Sequence, residues 1–143
     1  LRPAGLPRDR EERQRPVEKS RLDYSAIVVK RVGKEFHLLQ LTCKGADKGN
    51  AQTEQLIATL KPTAEDKIDY KPGIHIDIYM RLSVDNSKLK FAYSLDGKKY
   101  KECGTEFQMR EGKWIGAKFG YVSVDPNPKT DKGWLDADWI RVD

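Results

Sequence analysis

The chain has 143 residues, a length that supports one domain with one hydrophobic core. Hydrophobic residues make up 38% of the chain and are grouped in runs, which argues against disorder. No run approaches the roughly 18–20 apolar residues that a helix needs to cross a bilayer. The net charge is +5, yet basic and acidic residues are interleaved, whereas nucleic-acid-binding proteins concentrate basic residues on one surface. We therefore expect neither a nucleic-acid partner nor a membrane partner.

Residues 1–21, LRPAGLPRDREERQRPVEKSR, differ from the rest of the chain. Their three prolines and the lack of any helix or strand period predict an irregular N-terminal arm or linker. The chain starts with Leu1 rather than Met and has no apolar signal core near its start, so we interpret it as a processed or excised piece of a longer protein. Residues 22–143 are predicted to form a single β-sandwich domain.

The first part of this domain predicts three strands. YSAIVVK is rich in β-branched residues and is followed by a turn at Gly33. EFHLLQLTC alternates with a period of two, which places Phe36, Leu38 and Gln40 on one face. After the loop KGADKGN, TEQLIATL is compatible with a short helix. Its neighbours are strands, however, and Pro62 ends it, so a strand is favoured.

The segment GIHIDIYMRLSVD has the clearest alternation in the chain and predicts one long strand. Its predicted polar face carries His75, Asp77, Tyr79, Arg81 and Ser83. The turn DNSK leads into KLKFAYS, and the Asp-Gly pair of LDGKK predicts a hairpin. The predicted buried face of the long strand consists of Ile74, Ile76, Ile78, Met80, Leu82 and Val84.

Two apolar segments near the C-terminus also predict strands. In EGKWIGAKFGYVSV, Gly116 and Gly120 fit a bend or a close approach by a neighbour. WLDADWIRV is expected to close one sheet, with Trp139 packed inside and Asp138 on the opposite, polar side. With turn signals every 8 to 12 residues or so and no long helical period, the chain is predicted to be all-β, an antiparallel β-sandwich or jelly roll.

Candidate chemistry in the sequence is sparse, and no catalytic residue and no cofactor are predicted. His37 and His75 lie in strands without a metal-ligand spacing, and a surface position is expected for His75. Cys43 and Cys103 are compatible with a disulfide, but two buried free thiols are favoured.

Two aspartates in the last predicted strand are the weak metal candidates. Asp136 and Asp138 lie two residues apart on the same face, about 6–7 Å from each other. Such neighbours cannot flank a sugar from opposite sides as glycosidase carboxylates do. A structural role is favoured for them, a structural cation such as calcium is the alternative, and catalysis is the least favoured.

Several stretches taken together resemble a known family. DYSAIVVKR, LTCKGADKG, FAYSLDGKKY, EGKWIGAKFG and GWLDADWIRV are similar, in this order, to the C-terminal domain of bacterial glycoside hydrolase family 43 proteins, which are β-xylosidase-like and α-arabinofuranosidase-like enzymes. The resemblance covers about residues 22–143. Its most specific parts are EGKWIGAKFG and the closing DADWIRV.

The resemblance implies a concanavalin-A-like β-sandwich that packs against a five-bladed catalytic β-propeller and buttresses it or borders its substrate pocket. It also implies a xylan or arabinan substrate for the whole protein, and secretion or a periplasmic location. Neither the propeller nor the first strands of the sandwich are recognised in this sequence. We therefore expect no glycosidase turnover from this chain alone, and open sheet edges through which it could self-associate.

Two other functions remain open: a stand-alone carbohydrate-binding module and a protein-interaction sandwich. A carbohydrate-binding module needs aromatic rings on which sugars stack. Trp114, Trp134 and Tyr121 are the candidates for carbohydrate contact, with Trp134 expected to be the more exposed. For Trp114 a core position is favoured, since a tryptophan that enters a strand is usually buried.

Overall fold

A computed structural model describes residues 22–62, 67–68, 71–72, 75–110, 118–122, 124 and 137–143. Within these ranges the chain forms β-strands and one 3-10 turn, and it contains no α-helix. The elements are β1 (Asp23–Val32), β2 (Glu35–Lys44), the 3-10 turn (Ala46–Lys48), β3 (Thr53–Leu60), β4 (Lys67–Ile68), β5 (Lys71–Pro72), β6 (Tyr79–Asp85), β7 (Lys88–Ser94) and β8 (Lys101–Gln108).

The first sheet consists of β1, β2 and β3 in that order, all antiparallel. A tight turn joins β1 to β2, where Gly33 has a φ of 62°, a left-handed conformation that favours glycine. The strand prediction for TEQLIATL is confirmed, since these residues form β3. A β-bulge lies in the pairing of β2 with β3, between Leu38 and Leu39.

The second sheet consists of β6, β7 and β8, again antiparallel. Asn86 and Ser87 form the turn between β6 and β7 with φ angles of 47° and 61°. The predicted hairpin between β7 and β8 is confirmed, and its loop is held by the carboxylate of Asp96, which accepts bonds from the backbone amides of Lys98 (2.8 Å) and Lys99 (2.9 Å). Residues 67–68 and 71–72 form a separate two-stranded ladder.

The core lies between the two three-stranded sheets. One cluster comprises Phe36, Leu38 and Leu60, and the other comprises Leu89, Phe91 and Phe107. The side chain of Ile27 on β1 packs against both clusters, so the sheets face each other across it. The predicted antiparallel β-sandwich is therefore confirmed.

The long strand predicted for GIHIDIYMRLSVD is only partly formed. β6 begins at Tyr79, and Ile76 and Ile78 precede it without strand structure while packing against the Phe36 cluster. Ile74 lies outside the described residues. His75, expected on the surface, is half-buried with its Nδ1 shielded from solvent, because the adjacent Ile76 packs into the core.

Alternation predicted the faces of β6 correctly but not their burial. Leu82 pairs with Phe91 and Val84 with Leu89, so these side chains share the core face, as expected. Met80, Leu82 and Val84 are nevertheless exposed. β6 lies at the edge of its sheet among the described strands, and a position on the core face buries a side chain only where another element packs over it.

The strand predictions for the C-terminal segments are not supported by their described parts. Residues 118–122 and 124 contain no strand, and neither do residues 137–143. The expectation that Trp139 is packed inside is wrong, because its side chain is 59% exposed. Without strand pairing to carry it between the sheets, the indole lies instead beside the ring of Tyr79. The rest of EGKWIGAKFGYVSV lies outside the described residues.

Candidate functional site

A buried glutamine links the two sheets. In β8, Gly104, Thr105 and Glu106 bulge out of the ladder opposite a single residue of β7, since the pairing passes from Phe91↔Cys103 to Leu89↔Phe107. The backbone of Thr105 finds its partner in the other sheet instead. Its N–H donates to Oε1 of Gln40 over 2.6 Å, and its carbonyl accepts from Nε2 of Gln40 over 2.9 Å.

This arrangement requires a glycine at position 104. Gly104 has a φ of 72°, and a Cβ atom built there would collide with the side-chain amide of Gln40. Gln40 is 2% exposed, and its Nε2 also donates to Oγ of Ser25 over 3.0 Å. The three hydrogen bonds of one side chain therefore fix β8 against β1 and β2.

An ion pair holds the chain where it leaves the second sheet. Nε and Nη2 of Arg110 both donate to the carboxylate of Asp23, which also accepts the backbone N–H of Gly45 over 2.8 Å. The guanidinium of Arg110 beside it lowers the pKa of Asp23 below its ordinary value. This pair therefore fixes the chain after β8 against the start of β1.

A shallow groove of about 350 Å³ follows the β8 bulge. One of its two carboxylates, that of Glu106, lies 3.3 Å from Nζ of Lys88 and 3.7 Å from Nζ of Lys90, so two ammonium groups compensate its charge. Burial raises the pKa of the Cys103 thiol, which makes it a poor nucleophile. The Cys103 thiol is therefore not activated for nucleophilic attack. Its lining residues are Lys90, Phe91, Glu102, Cys103, Gly104 and Glu106.

An apolar surface lies along the edge of the second sheet. Met80, Leu82 and Val84, which we call the β6 stripe, are 42%, 45% and 53% exposed on one face of a single strand. Large apolar side chains are also exposed at Phe119 and Tyr121. Contiguous exposed apolar side chains of this kind mark surfaces that bind a partner.

The predicted site residues are only partly within the described ranges. Tyr121 is 67% exposed, which leaves its ring available for contact, and Asp138 is exposed. Trp114, Trp134 and Asp136 lie outside the described residues. In the ranges that the structure describes, no three or more His, Cys, Asp and Glu side chains are grouped so that they could hold a metal ion. No helix there is long and apolar enough to cross a membrane.

Cys43 and Cys103 are both free thiols, as favoured from the sequence, with Cys43 buried and Cys103 half-buried. The contact between Gln40 and Thr105 and the one between Asp23 and Arg110 are not predictable from the sequence pattern. A glycine inside the strand-like run YKECGTEF was the available signal for the bulge. No sequence signal indicated that Arg110 would meet Asp23.

Comparison with known proteins agrees with this fold. A family model described as the β-xylosidase C-terminal concanavalin-A-like domain matches residues 24–143. A β-xylosidase from Formosa agariphila is 39% identical over 67 residues, which make up 47% of this chain but only 11% of that relative. No solved structure matches. Because the family match covers most of the chain, the chain belongs to the family of β-xylosidase C-terminal concanavalin-A-like domains.

Proposed function

We propose that the chain is the accessory C-terminal sandwich of a glycoside hydrolase that acts on plant polysaccharide of the xylan or arabinan type, and that it packs against the catalytic β-propeller domain of that enzyme. Membership of a family named for β-xylosidase C-terminal domains supports the proposal, as does similarity to a protein named β-xylosidase. The alignment spans about a tenth of that relative, so the activity belongs to a much longer protein.

The β6 stripe is the observation that carries the docking proposal. Full burial of a Leu, Met or Val side chain contributes roughly 1.5–3 kcal/mol of free energy. Met80, Leu82 and Val84 are each about half exposed, so docking that buries them would add part of this stabilisation. The opposite face of β6 carries Arg81 and Ser83 and suits solvent. An apolar patch bordered by polar residues matches the apolar core and polar rim of protein interfaces.

Two carboxylates among the described residues form ion pairs, which fits a buttressing role. Asp23 is bound by Arg110, and Glu106 lies between Lys88 and Lys90. A glycosidase needs one carboxyl group kept protonated as an acid and a second as a nucleophile or base. The guanidinium of Arg110 lowers the pKa of Asp23 and favours its ionised form instead, so Asp23 is unsuited to donate a proton.

Neighbouring positions on β6 allow a matched test. In the complete hydrolase, Leu82→Asp places a charge in the proposed interface, whereas Ser83→Asp places the same charge on the opposite face of the same strand. We expect Leu82→Asp to lower the thermal stability of the complete enzyme and its turnover of aryl β-xyloside or aryl α-arabinofuranoside. Ser83→Asp should change both quantities little.

The same two variants in the separate 143-residue chain distinguish docking from folding. Because Leu82 is already 45% exposed, Leu82→Asp should melt within a few degrees of the Ser83→Asp control. Equal effects of the two variants on the complete enzyme, or unfolding of the separate chain by Leu82→Asp alone, would contradict docking through the β6 stripe.

A protein-interaction sandwich is the second candidate, because β6 pairs only with β7 among the described strands and leaves one backbone edge available. Such an edge pairs readily with another copy of the chain. Sedimentation of the 143-residue chain at increasing concentration tests this candidate. Dimers that Leu82→Asp abolishes would favour self-association over domain docking.

A further inference from the structure

The outer face of the second sheet carries a group of aromatic residues that has no role in the core. Tyr79 pairs with Ser94 and Arg81 pairs with Ala92, which places both on the face opposite the β6 stripe. The ring of Trp139 lies 6.2 Å from that of Tyr79, with 44° between the ring planes. We call Tyr79 and Trp139, together with the adjacent Arg81 and Tyr100, the aromatic platform.

The neighbouring loop holds Tyr79 in place. A Cβ atom on Gly97 would lie only 3.0 Å from Cζ of Tyr79, so the tyrosine ring lies directly against this glycine. The loop itself is rigid, because Oγ of Ser94 donates to the carboxylate of Asp96 over 2.8 Å and accepts the N–H of Gly97 over 2.9 Å. One side of the Tyr79 ring is therefore fixed by backbone.

Arg81 and Tyr100 extend the platform along the sheet. The guanidinium carbon of Arg81 lies 3.8 Å from the centre of the Tyr100 ring, which fixes the guanidinium in a stacked position. Arg81 follows Tyr79 by two residues on the same face, about 6–7 Å further along the strand. Arg81 thus supplies a hydrogen-bond donor on the same face of the sheet as the ring of Tyr79.

We propose that the aromatic platform binds an uncharged pyranose oligosaccharide of the β-linked xylose type. Trp139 is 59% exposed, so the face of its indole can pack against the C–H groups of a sugar ring. Arg81 can donate to sugar hydroxyls, and the exposed carboxylate of Asp138 can accept from them. The choice of xylose rests on the proposed function, whereas the platform rests on the geometry alone.

The test is calorimetric titration of the 143-residue chain with xylohexaose, with maltohexaose as the control sugar. We expect saturable binding of xylohexaose that Trp139→Ala weakens at least about tenfold and that Trp139→Phe weakens less, because a smaller ring still stacks. Arg81→Gln should also weaken binding. Phe119→Ala is the matched control, since Phe119 is an aromatic residue outside the platform and is 71% exposed, and it should leave the affinity unchanged.

The melting temperature of Trp139→Ala should stay close to that of the unaltered chain, so lost affinity reports binding and not unfolding. The absence of saturable xylohexaose binding overturns the proposal. So do equal binding of maltohexaose, affinity that survives Trp139→Ala, and affinity lost only in Phe119→Ala. None of these outcomes bears on docking through the β6 stripe, which is read from the complete hydrolase.

Discussion

Replacement of Gln40 by leucine should destabilise the sandwich although it changes side-chain volume little. The substitution removes three hydrogen bonds, two to the backbone of Thr105 and one to Ser25. At roughly 0.5–1.5 kcal/mol for each bond, their sum is about 1.5–4.5 kcal/mol. Thr105 is an exposed residue, so water can replace part of the lost hydrogen bonding to its backbone. The apolar burial of the leucine side chain offsets a further part of the loss. We expect a net loss of about 2 kcal/mol in the free energy of unfolding.

Urea denaturation of the chain measures this loss, and about 2 kcal/mol corresponds to a midpoint shift of roughly 1 M. Gln55 provides the control, since it lies directly opposite Gln40 on β3 but is exposed and makes a single bond, from Oγ1 of Thr105 over 3.0 Å. Gln55→Leu should cost less than about 0.5 kcal/mol. Equal losses in the two variants, or a negligible loss in Gln40→Leu, would refute the conclusion that Gln40 links the sheets.

Three further predictions concern the same fold. Gly104→Ala should destabilise the chain strongly, because the added Cβ collides with Gln40 and the φ of 72° is unfavourable for alanine. In a Gln40→Ala background the collision is removed while the unfavourable φ remains, so the loss of stability should be smaller. A double-mutant cycle measures this coupling. Asp23→Asn should lower stability near neutral pH. Arg110 lowers the pKa of Asp23 below 3.8, so the carboxylate contributes to the free energy of unfolding above pH 3.8. This contribution is lost as the pH falls through the folded-state pKa. The melting temperatures of Asp23→Asn and of the unaltered chain should therefore converge in acid. Ser87→Gly should increase the free energy of unfolding by about 0.5–1 kcal/mol, because a serine at a φ of 61° is strained. The urea midpoint should rise accordingly, and an unchanged midpoint would contradict this.

Periodicity predicted much of the fold because side chains in a strand alternate between faces. The same alternation that grouped Leu82 with Val84 also placed Tyr79 and Arg81 on the opposite face, and the strand pairing agrees with both assignments. It could not predict burial, because a period of two identifies a face but not what covers that face. The exposure of Leu82 and Val84 at a sheet edge is the consequence.

The contacts that define the candidate sites were beyond sequence reasoning, because they join residues far apart in the chain. Gln40 and Thr105 are separated by 65 positions, and Asp23 and Arg110 by 87. Their meeting depends on how the two sheets stack, which no local pattern encodes. Trp139 was predicted to be in the core on the general tendency of strand tryptophans, and that tendency fails where no strand forms.

The most direct test of the proposed function is the affinity between this chain and the catalytic domain of the hydrolase to which it belongs. The two parts are expressed separately and titrated by calorimetry. We predict saturable binding with a negative heat-capacity change, weakened at least about tenfold by Leu82→Asp and unaffected by Ser83→Asp. A chain that does not associate with the catalytic domain, or that binds it equally well after Leu82→Asp, would contradict docking through the β6 stripe.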